Sequence, residues 1–373
     1  MDLKIDFKKW IFVIIILSLI FIISSFFIPE TNLISSQPTN EEYFRGRVLE
    51  IEEYQSEDGY IQEALVEVTD GPLAGDIVEI ENDYQADHRF LNIRLEEGLR
   101  VVLVSFEHNG TRDIYLQDIA RDRGLLLAVI ILVLALLLVG KLKGLETIFT
   151  LFITAFIIVR VMLPLILAGW SPILATTFSA LAVIVLILTI IGGLNVKSLS
   201  AIIGTGSGVI IAGILAYYIG NIAHLSGLGT QEAQMLASGI EGLDFRGLLY
   251  AGIIIASLGA ITDVAMSIAS GAYQIKNANP EIEFKELMDH SLELGRDIMG
   301  TMANTLILAY VGGAIPFLLL LLFNQISWLR IINMDFVATE ILSGIAGTIG
   351  LVISIPITAF SAALLINKVK KKH

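Results

Sequence analysis

Long apolar runs dominate the chain, and one segment of alternating polar and apolar positions interrupts them. A run of about 17–25 apolar residues is long enough to cross a bilayer as a helix, and about eight such runs occur. They extend over Trp10–Ile28, Gly124–Gly140, Leu145–Leu167, Ile173–Ile191, Leu199–Ile219, Gly247–Ala272, Ile298–Phe323 and Val337–Ile366. This pattern predicts an α-helical polytopic membrane protein with about eight spans.

The alternating segment lies between the first two runs, in residues 41–122. Stretches such as Ala64–Val68 and Arg100–Val104 alternate with a period of two, and Asp58-Gly59 and Asn109-Gly110 are typical of turns between strands. About five short strands in a segment of this size predict a small all-β domain of the OB-like barrel type. The predicted organisation is therefore an anchor and linker in residues 1–40, a β domain in residues 41–122 and a seven-helix membrane bundle in residues 123–373.

Composition agrees with a membrane protein and excludes several other classes. The chain is 55% hydrophobic and 16% charged, and its mean hydropathy is +0.77. The net charge of −13 argues against a nucleic-acid partner. Because there are no cysteines and the five histidines are scattered, we expect no disulfide, no metal site and no cofactor.

Lysines predict the orientation of the chain in the membrane. They cluster before the first span, after the second and at the C-terminal end, which places both termini in the cytoplasm and the β domain outside. Ser24–Pro29 does not resemble a small-residue cleavage site, so we interpret the first span as an uncleaved anchor.

Asp263 is the most informative residue, because it lies well inside the run Gly247–Ala272. A carboxylate at membrane depth costs roughly 2.5–3.5 kcal/mol on insertion scales, so it should face protein or water. Thr262 and Ser267 lie beside it, and with Gly259 they make this helix rich in small and polar residues. Asp263 is therefore our first candidate for an ion or proton site.

The next span offers partners for Asp263. Asp297, Thr301 and Asn304 share one helical face, and we expect Asn304 to meet Asp263 on a neighbouring antiparallel helix, lined by Ser267 and Thr301. An amide beside a carboxylate satisfies its hydrogen bonds without neutralising its charge. Arg296 and Asp297 lie nearer the predicted cytoplasmic surface and are candidates for a gate or for an interfacial ion pair.

Small residues also recur on other spans and predict close helix packing. The five helix-packing candidates are Gly204, Gly208, Gly259, Gly347 and Gly350. Beyond the bundle, Asn279-Pro280 predicts the start of a helix whose apolar face includes Phe284 and Leu287, and we expect it to lie at the cytoplasmic interface.

Two motifs resemble the YibE/F-like family of bacterial multi-pass membrane proteins. They are Gly259-Ala-Ile-Thr-Asp-Val-Ala-Met-Ser-Ile-Ala-Ser270 and Gly295-Arg-Asp-Ile-Met-Gly-Thr-Met-Ala-Asn-Thr-Leu-Ile-Leu-Ala-Tyr310. The resemblance implies the bacterial cell membrane and the same order of elements: anchor, β domain and helix bundle. It carries no reaction and no substrate.

Three classes of function remain open. The first is a transporter or channel with Asp263 as the coupling site for a small ion or solute, and this is the leading hypothesis. The second is a non-catalytic scaffold that presents the β domain to an envelope protein partner. The third, an intramembrane aspartyl protease, fits least, because helix rise places Asp297 roughly 10 Å from the depth of Asp263. We therefore expect no enzyme. The lipid bilayer is the expected surrounding of this chain, and a homo-oligomer is compatible with the sequence.

Overall fold

The computed structural model describes Val13 and residues 41–56, 59–84, 93–108 and 111–369. These residues form two compact units, one within Asn32–Val139 and the other within Met1–Thr31 and Gly140–His373. The predicted first span, Trp10–Ile28, lies outside the described residues except for Val13, which is buried in the core of the second unit.

The first unit contains a five-stranded antiparallel sheet, as the alternating pattern predicts. Its strands are β1 (Glu41–Ser56), β2 (Gly59–Val68), β3 (Ile77–Tyr84), β4 (Arg100–His108) and β5 (Thr111–Ile119), and their order in the sheet is β3-β2-β1-β4-β5. Alternate residues such as Phe44, Val66 and Leu103 are buried on one face and form the core. The sheet curls, so that its edge strands β3 and β5 approach each other as in a half-barrel.

Helix α1 (Asp122–Gly140) follows β5 and belongs to the same unit as the sheet. Its first residue, Asp122, forms salt bridges to the strands. The Asp122 carboxylate lies 2.9 Å from Arg45 Nε and 3.3 Å from an Arg100 nitrogen. The sequence analysis begins the helix bundle at residue 123, where the apolar run starts. The division into compact units follows the contacts between residues instead, and it leaves α1 up to Val139 with the sheet.

The second unit is helical. Its helices are α2 (Leu142–Ile157), α3 (Leu163–Leu167), α4 (Pro172–Gly192), α5 (Val196–Ile222), α6 (Gln231–Gly239), α7 (Phe245–Ala278), α8 (Phe284–Phe323), α9 (Trp328–Ile332) and α10 (Asp335–Val369). A π-helical turn, Ile158–Met162, joins α2 to α3 just before Pro164. With α2 and α3 taken as one helix, seven helices in the described part of the chain are long and apolar enough to cross a membrane.

The helix predicted to begin at Asn279-Pro280 begins later, at Phe284, and the expected break between it and the next predicted span is wrong. The apolar face around Phe284 and Leu287 begins a single 40-residue helix that continues through Gly295 to Phe323. The first turns of α8 bury Leu287 in a core that also contains Ala363 and Ile366 of α10, so this apolar face packs on the protein. At 1.5 Å per residue it is about 60 Å long, roughly twice the thickness of the hydrocarbon core.

Candidate functional site

Helices α5, α7 and α10 meet through small residues at the centre of the second unit. A Cβ atom added at Gly208 would lie 2.7 Å from the carbonyl oxygen of Gly350, and one added at Gly350 would lie 2.6 Å from the carbonyl oxygen of Gly208. Gly208 and Gly350 are therefore sites of backbone contact between α5 and α10, where any side chain would force the helices apart. At Gly204 the neighbour is a side chain, because an added Cβ would clash with the Oγ1 atom of Thr358.

Two further glycines among the packing candidates behave differently from each other. A Cβ at Gly347 would lie 3.0 Å from Leu306 and 3.2 Å from Ser257, so this glycine sits where α7, α8 and α10 converge. Gly259 lies on the outward face of α7, where an added Cβ would meet no heavy atom of the described chain within 4 Å.

Asp263 and Ser267 share this outward face of α7, and both are exposed. Thr262 is half-buried, and its hydroxyl donates a hydrogen bond of 2.7 Å to the carbonyl oxygen of Leu258, so it is engaged by its own helix. Within the described residues the Asp263 carboxylate forms neither a hydrogen bond nor a salt bridge. Any group that pairs with the Asp263 carboxylate is therefore not among the described residues.

Helix α8 presents its own polar residues outward as well. Asp297, Thr301 and Asn304 are exposed, and the Thr301 hydroxyl donates to the carbonyl oxygen of Ile298 at 2.9 Å. Arg296 is exposed beside Asp297, and no salt bridge joins the two side chains in the described part of the structure. Both Asp263 and Asn304 face outward, and no hydrogen bond joins them in the described structure, so the expected pairing of the two side chains is not formed there. We call the exposed residues Asp263, Ser267, Thr301 and Asn304 the polar strip.

Contacts between α7 and α8 fix the relative depth of the polar strip. The two helices are antiparallel, with Gly295 against Ile268. Five residues from each of these positions lead to Asp263 on α7 and to Gly300 on α8, which therefore lie level. Asn304 is about 6 Å to one side of this level and Asp297 about 5 Å to the other.

This alignment changes the expected depth of Asp297. Counting from the ends of the apolar runs gave a separation of roughly 10 Å from the level of Asp263, about twice what the helix contacts give. The count failed because α8 begins at Phe284, well before its apolar run, so the ends of the two runs do not lie at the same height.

One feature that the sequence reasoning missed is an apolar cavity between α8 and α10. It has a volume of about 270 Å³, and its wall includes Tyr310, Phe317, Phe336 and Glu340. Glu340 is a second carboxylate within a predicted span, three residues after its start at Val337. The same rule that singles out Asp263 applies to it, but its place near the end of the run hid it.

The described residues include seven long apolar helices, which are compatible with a multi-pass membrane protein, and the Asp263 carboxylate on the outward face of α7 has no partner among them. A protein-family model described as YibE/F-like protein matches residues 128–368, which cover α2–α10 and most of α1. The chain belongs to this family, as its two motifs suggested. No curated protein and no solved structure matches it.

Proposed function

We propose that this protein is a membrane transporter or channel in which Asp263 binds and releases a proton or a small cation. The polar strip carries the proposal. Four polar side chains from two helices are exposed at a depth where lipid contact with a carboxylate costs roughly 2.5–3.5 kcal/mol. Water along the strip removes that cost and gives an ion a path to Asp263.

The small residues beside the strip support this role. Gly259 on α7 and Gly300 on α8 have open space where a side chain would stand. Hydroxyl and amide oxygens from Thr301 and Asn304 replace part of the hydration shell of a cation, while the carboxylate supplies the charge. The glycine contacts of α5 with α10 give the bundle a close-packed frame against which α7 and α8 stand.

Asp263→Asn tests the proposal, because it keeps the shape and removes the charge. In reconstituted vesicles under a pH or cation gradient, we expect flux to fall to background while expression and thermal stability stay near those of the wild type. Glu293→Gln, which neutralises an exposed carboxylate in the first half of α8, is the matched control and should leave flux unchanged. Undiminished flux in Asp263→Asn would refute the proposal.

Cysteine accessibility gives a second test that does not depend on the identity of the ion. The chain has no native cysteine, so Ser267→Cys and Ile203→Cys each introduce a single thiol. Ile203 is also exposed, and the contact of Gly208 with Ile261 places it within about 2 Å of the depth of Ser267. A charged, membrane-impermeant thiol reagent should modify the Ser267→Cys variant from one side of the membrane and spare the Ile203→Cys variant. Equal protection of both thiols would mean that the strip is dry.

The alternative function is a scaffold that presents the β unit to an envelope protein, and an aromatic patch on the sheet favours it. Tyr43, Phe106 and Tyr115 are exposed on β1, β4 and β5, on the face opposite the core. Exposed aromatic side chains are enriched in protein interfaces. A scaffold would tolerate Asp263→Asn and would lose function on deletion of residues 41–119, which is the reverse of the outcome expected for a transporter.

We also propose the finer architecture that the sequence suggested. The strand order β3-β2-β1-β4-β5, with β3 near β5, supports an OB-like barrel that is open between its edge strands. The lysine distribution supports both termini in the cytoplasm of a bacterial cell, with the sheet outside and an eighth span formed by Trp10–Ile28.

A further inference from the structure

Helix α8 lacks a neighbour along one of its sides. In its most apolar stretch 17% of the residues are buried in the described structure, against 39–56% in the other long helices of the second unit. A Cβ atom added at Gly300, Gly312 or Gly313 would meet no heavy atom of the described chain within 4 Å. A further helix can therefore approach α8 closely on this side.

Three polar side chains on the exposed side of α8 have no partner among the described residues. Asn304 lies inside the apolar run Ile298–Phe323, and its amide forms no hydrogen bond there. Arg296 and Asp297 carry opposite charges at adjacent positions, and neither forms a salt bridge in the described structure. An unpaired amide at membrane depth costs free energy, which a partner across an interface would remove.

The chemistry of these groups is complementary to itself. A carboxamide both donates and accepts, so Asn304 of one copy can form hydrogen bonds with Asn304 of a second copy. A two-fold axis along the membrane normal holds the two amides at the same depth, and it holds each Arg296 level with the Asp297 carboxylate of the other copy. The remaining apolar runs of the chain carry no such group, because residues 11–28 and 125–139 contain neither an amide side chain nor a charge.

The exposed surface is also large enough for a stable interface. Together, α8 and the outward face of α7 extend for about 35 Å along the bundle and, since neighbouring helices pack about 8–10 Å apart, for about 20 Å across it. The resulting face of roughly 700 Å² is close to the area of about 800 Å² that each partner buries in a stable protein interface. The exposed residues of α7 include Gly252, Ala256 and Gly259, which are small enough for close approach.

From these observations we infer that two copies of the protein form a dimer, with their α8 helices side by side about a two-fold axis along the membrane normal. Asn304 pairs with its counterpart near the axis, and Arg296 and Asp297 form two reciprocal salt bridges nearer the predicted cytoplasmic surface. Asp263 and Ser267 flank this contact and face the second copy instead of lipid. The inference does not rest on transport, because a scaffold would dimerise in the same way.

Disulfide cross-linking of single cysteines in native membranes tests the contact, since the full-length chain has no cysteine of its own. Leu308, one turn from Asn304 on the same side of α8, is 57% exposed. The contacts of α7 with α5 and with α8 place Ile214 of α5, which is 59% exposed, at nearly the same depth. On mild oxidation we expect a disulfide-linked dimer from Leu308→Cys and none from the matched control Ile214→Cys.

Substitution of Asn304 tests the amide pair. Energy transfer between differently labelled copies, measured as the protein is diluted in lipid vesicles, reports the strength of the dimer. Asn304→Leu should weaken the dimer by about three- to tenfold, which is what an interhelical hydrogen bond contributes in a membrane. Asn304→Gln keeps the amide and should retain most of the dimer.

Charge reversal tests the salt bridges and separates contacts between copies from contacts within one copy. Arg296→Asp leaves two acids at this point of α8, and Asp297→Arg leaves two bases, so each variant alone should show less energy transfer than the wild type. A mixture of the two variants should recover it, because the opposite charges then lie on different copies.

Equal cross-linking of Leu308→Cys and Ile214→Cys would indicate random collision in the membrane and would overturn the inference. Unchanged energy transfer in Asn304→Leu, or a cross-linked product that contains a different protein, would overturn it as well. Asp263→Asn is expected to stop flux and to leave the dimer intact, so failure of the transport proposal and failure of this inference can be told apart.

Discussion

At the scale of single residues, glycines in this protein have two opposite environments. Gly208 is in backbone contact with Gly350, whereas Gly259 is surrounded by open space on the outward face of α7. Both lie in the middle of long helices, where glycine is less favourable than alanine by about 0.8–1.0 kcal/mol. The packing around each glycine therefore decides whether its substitution by alanine stabilises or destabilises the protein.

We predict that Gly208→Ala lowers the thermal stability of the purified protein and that Gly259→Ala does not. The added methyl group at position 208 meets a carbonyl oxygen at 2.7 Å, which no rotamer change can relieve, and overpacking of this kind costs typically about 1–3 kcal/mol. Thermal unfolding of the detergent-solubilised protein, followed by circular dichroism, measures the difference. A lower melting temperature for Gly259→Ala than for Gly208→Ala would contradict the assignment of the outward face.

Individual residues also show where sequence reasoning succeeds and where it stops. Asp263 is identifiable from sequence because a charge in a long apolar run is rare and costly. The direction in which it points is not, because α7 has small or apolar residues around its whole circumference and therefore no periodic signal that distinguishes core from surface. Glu340 was hidden by its position near the end of a run, and only the cavity around it reveals it.

At the scale of elements, the loop between α5 and α6 is clamped to the start of α10. The Asp335 carboxylate accepts hydrogen bonds of 2.9 Å from both the backbone N–H and the hydroxyl of Ser226. The acid also stands in the first turn of α10, where a negative charge is favourable to the helix dipole. One side chain thus fixes a loop and begins a helix.

Asp335→Ala should therefore destabilise the protein by about 1–3 kcal/mol, because the half-buried Ser226 loses the acceptor of its N–H and hydroxyl groups. Glu232→Ala is the matched control, since Glu232 is an exposed acid in the first turn of α6. Thermal unfolding of the two variants measures the effect, and hydrogen exchange at residues 224–230 locates it. Equal loss of stability in both variants would show that the helix dipole, and not the clamp, is responsible.

Sequence patterns identified the existence of elements well and their ends poorly. Apolar length gives the spans because a bilayer requires it. The continuity of α8 was missed because its first three turns are amphipathic, which is also the pattern of an interfacial helix. Their apolar face packs on α10, a contact between residues about 75 positions apart, and local periodicity does not contain such information.

At the scale of the whole molecule, three helices are longer than a membrane is thick, and their extra length lies together at one end of the bundle. Helices α7, α8 and α10 have 34, 40 and 35 residues, and their extended ends share a core that includes Ala272, Leu287 and Ile366. The lysine distribution predicts that these ends lie in the cytoplasm and the sheet on the opposite side.

Labelling of single cysteines tests this orientation. In intact cells, an impermeant thiol reagent should react with Gln117→Cys in β5 and should react with Glu293→Cys only after the membrane is opened, because the two positions are predicted to lie on opposite sides. Both native side chains are exposed, so a lack of reaction reports the membrane and not burial. Immediate labelling of the Glu293→Cys variant, with protection of the Gln117→Cys variant, would reverse the orientation.

The low burial of α8 has a consequence for which substitutions the protein tolerates. In the most apolar stretch of α8 only 17% of the residues are buried inside the protein, against 56% in the corresponding stretch of α5. At exposed positions such as Leu308 and Ile315, packing within one copy imposes little selection, and we expect exchange for another apolar residue to be nearly neutral. At Gly300, Thr301 and Asn304, which are equally exposed, neither packing within one copy nor lipid favours the residue present. If the transport proposal holds, we therefore expect intolerance to substitution at these three positions to report loss of activity, with little of the contribution from folding that dominates a buried helix.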